Sequence, residues 1–141
     1  MVTAQANDLL LLSPSPIDAV AAGKFVHTPA AGAIDMFLGT ARTEQSADGR
    51  PLIALMYEAY LPMAEKVCHA IIDEARARWP VLRCAMVHRV GRVELGEVSV
   101  LVAVACPHRA EAFDACRFII DQVKERAPIW KEPIWGDRSH N

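Results

Sequence analysis

The sequence predicts an α+β fold in which two long helices pack on a mixed, largely antiparallel sheet. In residues 62–79 and again in 108–126, apolar residues recur at intervals of three and four, which is the helical pattern. Between them, residues 98–105 (VSVLVAVA) form a continuous apolar run rich in β-branched residues, typical of a strand covered on both faces. We therefore expect this run at the centre of the sheet.

Length and composition predict a single domain over residues 1–141. The chain is 52% hydrophobic and 23% charged with a net charge of -2, which excludes a disordered protein and one that coats nucleic acid through bulk charge. Its first 16 residues contain an apolar run of only four leucines with no basic residue before it. They fit neither a signal peptide nor a membrane span, so we expect a cytoplasmic protein with no membrane or nucleic-acid partner.

The remaining elements follow from local patterns. Ser15 and Pro16 predict the capped start of a short helix that runs to residue 25, with the proline in its first turn. Strands are predicted at residues 8–12, 32–42 and 52–60, a mobile loop at 43–51, and an irregular tail at 128–141, which is rich in proline and tryptophan.

The cysteines predict no disulfide and no metal site. They are widely spaced without a CxxC pair and read as free thiols in the core: Cys68, Cys84, Cys106 and Cys116. Cys106 with His108, and Cys68 with His69, are isolated pairs that lack further ligands at typical spacing. A glycine-rich phosphate loop, a GxSxG elbow and a dinucleotide fingerprint are all missing from the sequence, so we predict no resident metal or cofactor.

The sharpest local feature is the segment Cys106-Pro107-His108-Arg109, between the central apolar run and the second long helix. Free N–H groups and the positive end of the helix dipole attract anions, so His108 and Arg109 there could cradle a phosphate or carboxylate. The sequence fits equally well with His108 and Arg109 being solvent-exposed side chains in the first turn of the helix. A cysteine phosphatase would need arginine six positions after its cysteine, but position 112 is alanine.

Two lysines near the C-terminus are candidates for chemistry. A lysine in a partly desolvated pocket among other cations can lose its proton and act as a base or an amine nucleophile. For Lys124 a solvated helix face shared with Arg117 and Asp121 is the competing interpretation. Lys131 is flanked by apolar residues, which indicate that its segment packs on an apolar surface. Arg42 lies at the end of a predicted strand, where an arginine either binds a ligand or faces solvent.

Five blocks of the sequence resemble the family of large, catalytic subunits of molybdopterin synthase. They are GAIDMFLGTAR (32–42), YEAYLPMAEK (57–66), HRVGRVELGEVSVLVAV (88–104), HRAEAFDAC (108–116) and KERAPIWKE (124–132). The blocks occur in the family's order, and together they are highly specific, whereas residues 1–30 match weakly.

The resemblance implies an α/β-hammerhead-type fold and an enzyme of molybdenum cofactor biosynthesis. It implies a homodimer with a small ubiquitin-like sulfur-carrier subunit on each side, which makes a heterotetramer. The carrier's C-terminal Gly-Gly thiocarboxylate would deliver sulfur to cyclic pyranopterin monophosphate, and two deliveries would build the dithiolene of molybdopterin.

The resemblance also implies a set of site residues. Lys124 and Lys131 match the family's two catalytic lysines, and either could be the nucleophile or the base. The matching substrate-binding residues are Arg42, His108, Arg109 and Phe37, with Arg138 in the place of a tail arginine. His108 and Arg109 are expected to reach into the pocket of the partner protomer. Two alternatives are a scaffold that binds a ubiquitin-like partner without chemistry and a small phosphate-ester enzyme.

Overall fold

A computed structural model describes residues 2–4 and 7–138 as three helices and eight strands. The helices are α1 (Ala19–Val26), α2 (Leu61–Arg78) and α3 (Arg109–Arg126). The strands are β1 (Val2–Ala4), β2 (Asp8–Ser13), β3 (Ala33–Thr40), β4 (Leu52–Ala59), β5 (Arg83–Arg89), β6 (Gly91–Glu94), β7 (Val98–Cys106) and β8 (Ile129–Trp135). Two long helices on a mixed, largely antiparallel sheet confirm the predicted α+β fold class.

The larger sheet has five strands in the order β1-β2-β5-β7-β3. Among the described strands, β2 and β5 are the one parallel pair, and the other neighbours are antiparallel. Residues 99–106 of β7 are all buried, with α1 packed on one face of the sheet and α2 and α3 on the other. The apolar run is thus interior, as predicted, but β5 rather than β7 is the middle strand.

A second sheet of three strands, in the order β6-β4-β8, was not predicted. Its strand β8 corrects the expectation of an irregular tail over residues 128–141. Pro128 and Pro133 argue against a strand in the sequence. Within the described residues, however, β8 pairs with β4 alone and lies at an edge, where a proline is tolerated. Residues 139–141 lie outside the described residues.

The short helix begins later than predicted. Asp18 is its N-cap, and the Asp18 carboxylate accepts a hydrogen bond of 3.0 Å from the backbone N–H of Ala21. Pro16 therefore precedes the helix instead of lying in its first turn. Asp18 caps a helix as well as serine does, and the sequence contains both at this point.

All four cysteines are free and buried, as predicted. Burial raises the pKa of the Cys68 thiol to about 12 and that of Cys106 to about 11. These thiols are protonated at neutral pH and act as small core residues. Within the described parts of the chain, no helix combines the length and the apolar character that crossing a membrane would need.

Candidate active site

The junction between α3 and β8 brings the two candidate lysines close together. Lys124 lies in the last turn of α3, and Lys131 is the third residue of β8. The connecting segment is short, and the carbonyl of Pro128 accepts a hydrogen bond of 3.1 Å from the backbone N–H of Tyr60. This bond ties the junction to the end of β4, so the end of the helix and the start of the strand have a fixed relation.

The register of the small sheet sets the direction of Lys131. Lys131 is directly opposite Tyr57 of β4 in the antiparallel pair. Directly opposed residues have side chains on the same face of a sheet. Because Tyr57 is buried, Lys131 lies on the side of the small sheet that faces the body of the protein.

Two adjoining cavities share these residues. The larger has a volume of about 320 Å³ and the smaller about 180 Å³. Tyr57, Lys124 and Lys131 line both. Arg42 and Glu44 line only the larger cavity, whereas the smaller one adds His88, Trp130 and the apolar side chains Val100, Ile120, Val123 and Ile129.

The surroundings of Lys124 make it easier for this lysine to lose its proton. Its pKa is lowered, first by loss of hydration and second by the positive charge of Lys131. More than a third of the Lys124 surface remains exposed, so partial rather than full burial is the cause. Among the described residues, neither lysine forms an ion pair with a carboxylate that would oppose this shift. A neutral amine in this position could act as a base or as a nucleophile.

Arg42 lines the larger cavity, and two backbone hydrogen bonds fix the position of the residue before it, Ala41. The backbone N–H of Ala41 donates to the carbonyl of Glu97 at 3.1 Å, and the carbonyl of Ala41 accepts from Gly96 at 2.7 Å. Arg42 is exposed and has no hydrogen bond or ion pair to any residue that the structure describes. Glu44 is the single carboxylate among the described residues lining this cavity, so three cations there face one anion. That excess favours an anionic ligand.

His88 and Tyr57 are parts of this site that the sequence reasoning missed. His88 is 5% exposed, and its ring packs against Tyr57 edge to face with centroids 5.1 Å apart. The pKa of His88 is lowered to about 4, mainly by burial and to a smaller extent by the charge of Lys124, while a hydrogen bond to the carbonyl of Arg89 acts in the opposite direction. His88 is therefore neutral at pH 7. The signal was available, since both residues open blocks that carry the resemblance.

His108 and Arg109 do not reach the lysines within one chain. His108 is the N-cap of α3 and Arg109 its first residue, whereas Lys124 lies in the last turn. With a rise of 1.5 Å per residue, Arg109 and Lys124 are about 22 Å apart along the helix. His108 is exposed and lies 3.9 Å from a carboxylate oxygen of Glu111.

Phe37 and Arg138 also lie outside the two lysine cavities. Phe37 of β3 lines a third depression, of about 350 Å³, together with Phe113 of α3. Ile120 lines both this depression and the smaller lysine cavity, so the two share one wall residue. Arg138 is exposed and follows β8, away from the described lining of either lysine cavity.

Known proteins resemble this chain in sequence and in fold. A relative from Nostoc sp. called molybdopterin synthase catalytic subunit is 47% identical over 109 residues, which are 77% of this chain and 65% of that relative. The structure of molybdopterin synthase from Staphylococcus aureus superposes with a TM-score of 0.83 at 36% identity and covers 89% of this chain and 90% of that one.

A complex of subunits 1 and 2 of molybdopterin-converting factor from Helicobacter pylori shares the fold, with a TM-score of 0.74 at 23% identity over 93% of this chain and 92% of that one. The family model described as MoaE protein matches residues 12–126. This range includes β3, β4, β5, β7 and α3, and hence Arg42, Tyr57, His88 and Lys124. The chain therefore belongs to the MoaE family.

Proposed function

We propose that this protein is the catalytic subunit of a cytoplasmic molybdopterin synthase, a sulfurtransferase. In this reaction a small ubiquitin-like subunit carries sulfur as a C-terminal Gly-Gly thiocarboxylate. The sulfur passes to cyclic pyranopterin monophosphate, and two transfers form the dithiolene of molybdopterin. Relatives that carry the name molybdopterin synthase catalytic subunit support this assignment.

The observation that carries the proposal is the pair of lysines in two shared cavities. Lys124 and Lys131 come from different elements and line the same walls, and the pKa of Lys124 is lowered first by partial burial and second by the charge of Lys131. A neutral amine can attack the acyl carbon of a thiocarboxylate or remove a proton from the reacting groups. By the nucleophilic route the amine forms an amide with the acyl carbon as the carrier's carbon–sulfur bond breaks, and the released sulfide bonds to a pterin carbon and displaces an oxygen substituent there. Water then cleaves the amide, which frees the lysine and releases the carrier as a carboxylate.

The excess positive charge around the larger cavity supports a phosphorylated substrate. Arg42 is free to form paired hydrogen bonds with phosphate oxygens, which is the arrangement in which a guanidinium binds an anion most strongly. Lys124 and Lys131 add two further charges to the same walls. We assign Arg42 to the cyclic phosphate or to the thiocarboxylate, with Phe37 and Arg138 as further contacts at the edge of the bound substrate.

A homodimer would complete the site with His108 and Arg109 of a second copy. The spacing of Phe113, Arg117, Asp121 and Lys124 puts them on one face of α3, and Phe113 is 58% exposed. A two-fold axis near the middle of this face would align two α3 helices in opposite directions. The first turn of one helix, with its basic residues, would then lie beside the last turn of the other, with Lys124. Each dimer would bind two carriers, which gives a heterotetramer.

Reconstitution tests the proposal. The purified chain, a thiocarboxylated small subunit and cyclic pyranopterin monophosphate are mixed, and the dithiolene product is measured by mass spectrometry. We expect product with the wild-type chain and a loss of at least a hundredfold in rate for Lys124→Ala and for Lys131→Ala, since general acid–base or nucleophilic catalysis contributes about 10²–10⁴.

Lys66→Ala is the matched control, because Lys66 is exposed on α2 outside both lysine cavities. It should leave the rate unchanged, and both cavity variants should still bind the small subunit in a pull-down. If the wild-type chain makes no product beside a working synthase, the assignment is wrong. Full rates in both lysine variants would instead mean that neither lysine takes part in the chemistry.

A further inference from the structure

We propose that His88 is a positioning residue for Lys124: its imidazole stays uncharged, and its Nε2 accepts a hydrogen bond that orients the Lys124 amine. This inference rests on the proposed function only for its kinetic consequence. The pairing itself concerns two residues of one cavity and can be measured without substrate.

One nitrogen of His88 is already committed to the backbone. Nδ1 lies 2.7 Å from the carbonyl oxygen of Arg89, and a carbonyl only accepts, so Nδ1 carries the proton. In the neutral ring Nε2 is then an acceptor with a free lone pair. Strand β5 and the ring of Tyr57 hold the imidazole on two sides, which leaves it little freedom to rotate.

The free nitrogen opens into the smaller lysine cavity. Among the described residues, Nε2 of His88 forms no hydrogen bond with protein. The fully buried side-chain atoms that lack a partner there are Arg89 Nε and Glu111 Oε2, so Nε2 is not fully buried. Nε2 is therefore reached from the cavity that His88 lines with Lys124. Most of the other walls of that cavity are apolar, so Nε2 is one of few acceptors that an amine could find there.

An uncharged ring is what this position needs. The charged groups that line the cavity are Lys124 and Lys131, and a third cation would repel both. The neighbouring guanidinium of Arg89 is turned to Glu97 Oε2 at 3.4 Å and to the carbonyl of Arg92 at 2.8 Å. A neutral acceptor can hold one N–H of the Lys124 amine and so direct its lone pair towards an incoming acyl carbon. Such alignment raises the rate of attack without any change in binding.

Two substitutions separate the roles of the two nitrogens. His88→Asn keeps a donor near Nδ1 for the carbonyl of Arg89 and removes the acceptor in the cavity. His88→Gln is longer and can present its carbonyl oxygen near Nε2. We expect kcat to fall about tenfold or more in His88→Asn with KM for the small subunit unchanged, and to stay within about threefold of wild type in His88→Gln.

His27→Asn is the control, since His27 is exposed at the end of α1 and the same chemical change there should leave the rate unaltered. A wild-type rate in His88→Asn overturns the kinetic role. So does an equal loss in both His88 variants, because rescue by glutamine is the mark of an acceptor rather than of general packing.

Nitrogen NMR of histidine-labelled protein tests the pairing independently of activity. At pH 7 we expect His88 to be neutral with the proton on Nδ1, and Lys124→Met to shift the Nε2 resonance towards that of a free lone pair. The inference is overturned if the Nε2 chemical shift does not change in Lys124→Met, or if Nε2 carries the proton. If wild type makes no product but this shift occurs, the proposed function fails and the pairing stands.

Discussion

The five-stranded and three-stranded sheets differ in how far their strands are covered. In the larger sheet, β7 is buried from residue 99 to residue 106, between α1 on one face and α2 and α3 on the other. In the smaller sheet, none of the residues of β8 is fully buried. Strand β7 thus lies in the interior of the fold, whereas β8 keeps polar side chains in contact with solvent. The candidate site lies where the two meet, at the end of α3.

The largest effect is expected inside the larger sheet. Leu101→Ala removes a fully buried side chain beneath α1 and should lower the free energy of unfolding by about 2–5 kcal/mol, because the tightly packed core cannot fill the space. Urea unfolding measures the loss. Leu38→Ala is the matched control, since Leu38 is opposite Leu101 in the register but 40% exposed. It should cost about 1 kcal/mol or less, and equal losses would contradict the contrast between interior and edge.

A smaller effect is expected at the edge of the larger sheet, where β3 and α3 carry exposed apolar side chains. Phe113→Glu puts a charge on the face proposed to join two copies and should weaken the dimer at least tenfold, about 1.4 kcal/mol. Sedimentation measures the change. Val20→Glu makes a comparable change at an exposed position of α1 and should leave the dimer intact. A Phe113→Glu protein as dimeric as wild type would mean that copies associate through another face.

The smallest effect concerns the charges of the smaller sheet. Lys131→Met removes one cause of the lowered pKa of Lys124, so this pKa should rise, although partial burial, the larger cause, remains. Only the neutral amine is acylated, and the pH profile of Lys124 acylation should therefore move to higher pH. Mass spectrometry after treatment with a small acylating reagent measures it, with Lys66→Met as the control. A profile that stays in place or moves to lower pH would contradict repulsion between the lysines.

Hydrophobic periodicity predicted the parts of the fold that bury apolar surface. Helices α2 and α3 and strand β7 have long, regular patterns, and burial is what stabilises them. Strand β8 has no such pattern, and its proline and charges are tolerated because it lies at an edge beside β4. Pairing with a distant strand is not encoded in the local sequence, and for this reason the second sheet was missed.

The candidate site was predictable only in part, because some of its residues come from segments that are distant in sequence. Lys124, Lys131 and Arg42 came from the resemblance and from local context, and they line one cavity. Tyr57 and His88 lie on β4 and β5, far from the lysines in sequence, and only the folded chain brings them to the same walls. Whether His108, Arg109, Phe37 and Arg138 contact substrate stays a prediction.

The connection between α3 and β8 is short, so its length helps to fix where Lys124 and Lys131 lie relative to each other. Adding one residue there would leave two outcomes. If β8 slipped by one position against β4, every side chain of that strand would change sides and Lys131 would point away from the cavities. If β8 held its pairing, the connection would have to bulge, which would disturb the hydrogen bond that Tyr60 donates to the carbonyl of Pro128. Insertions and deletions in working versions of this protein should therefore fall elsewhere in the chain.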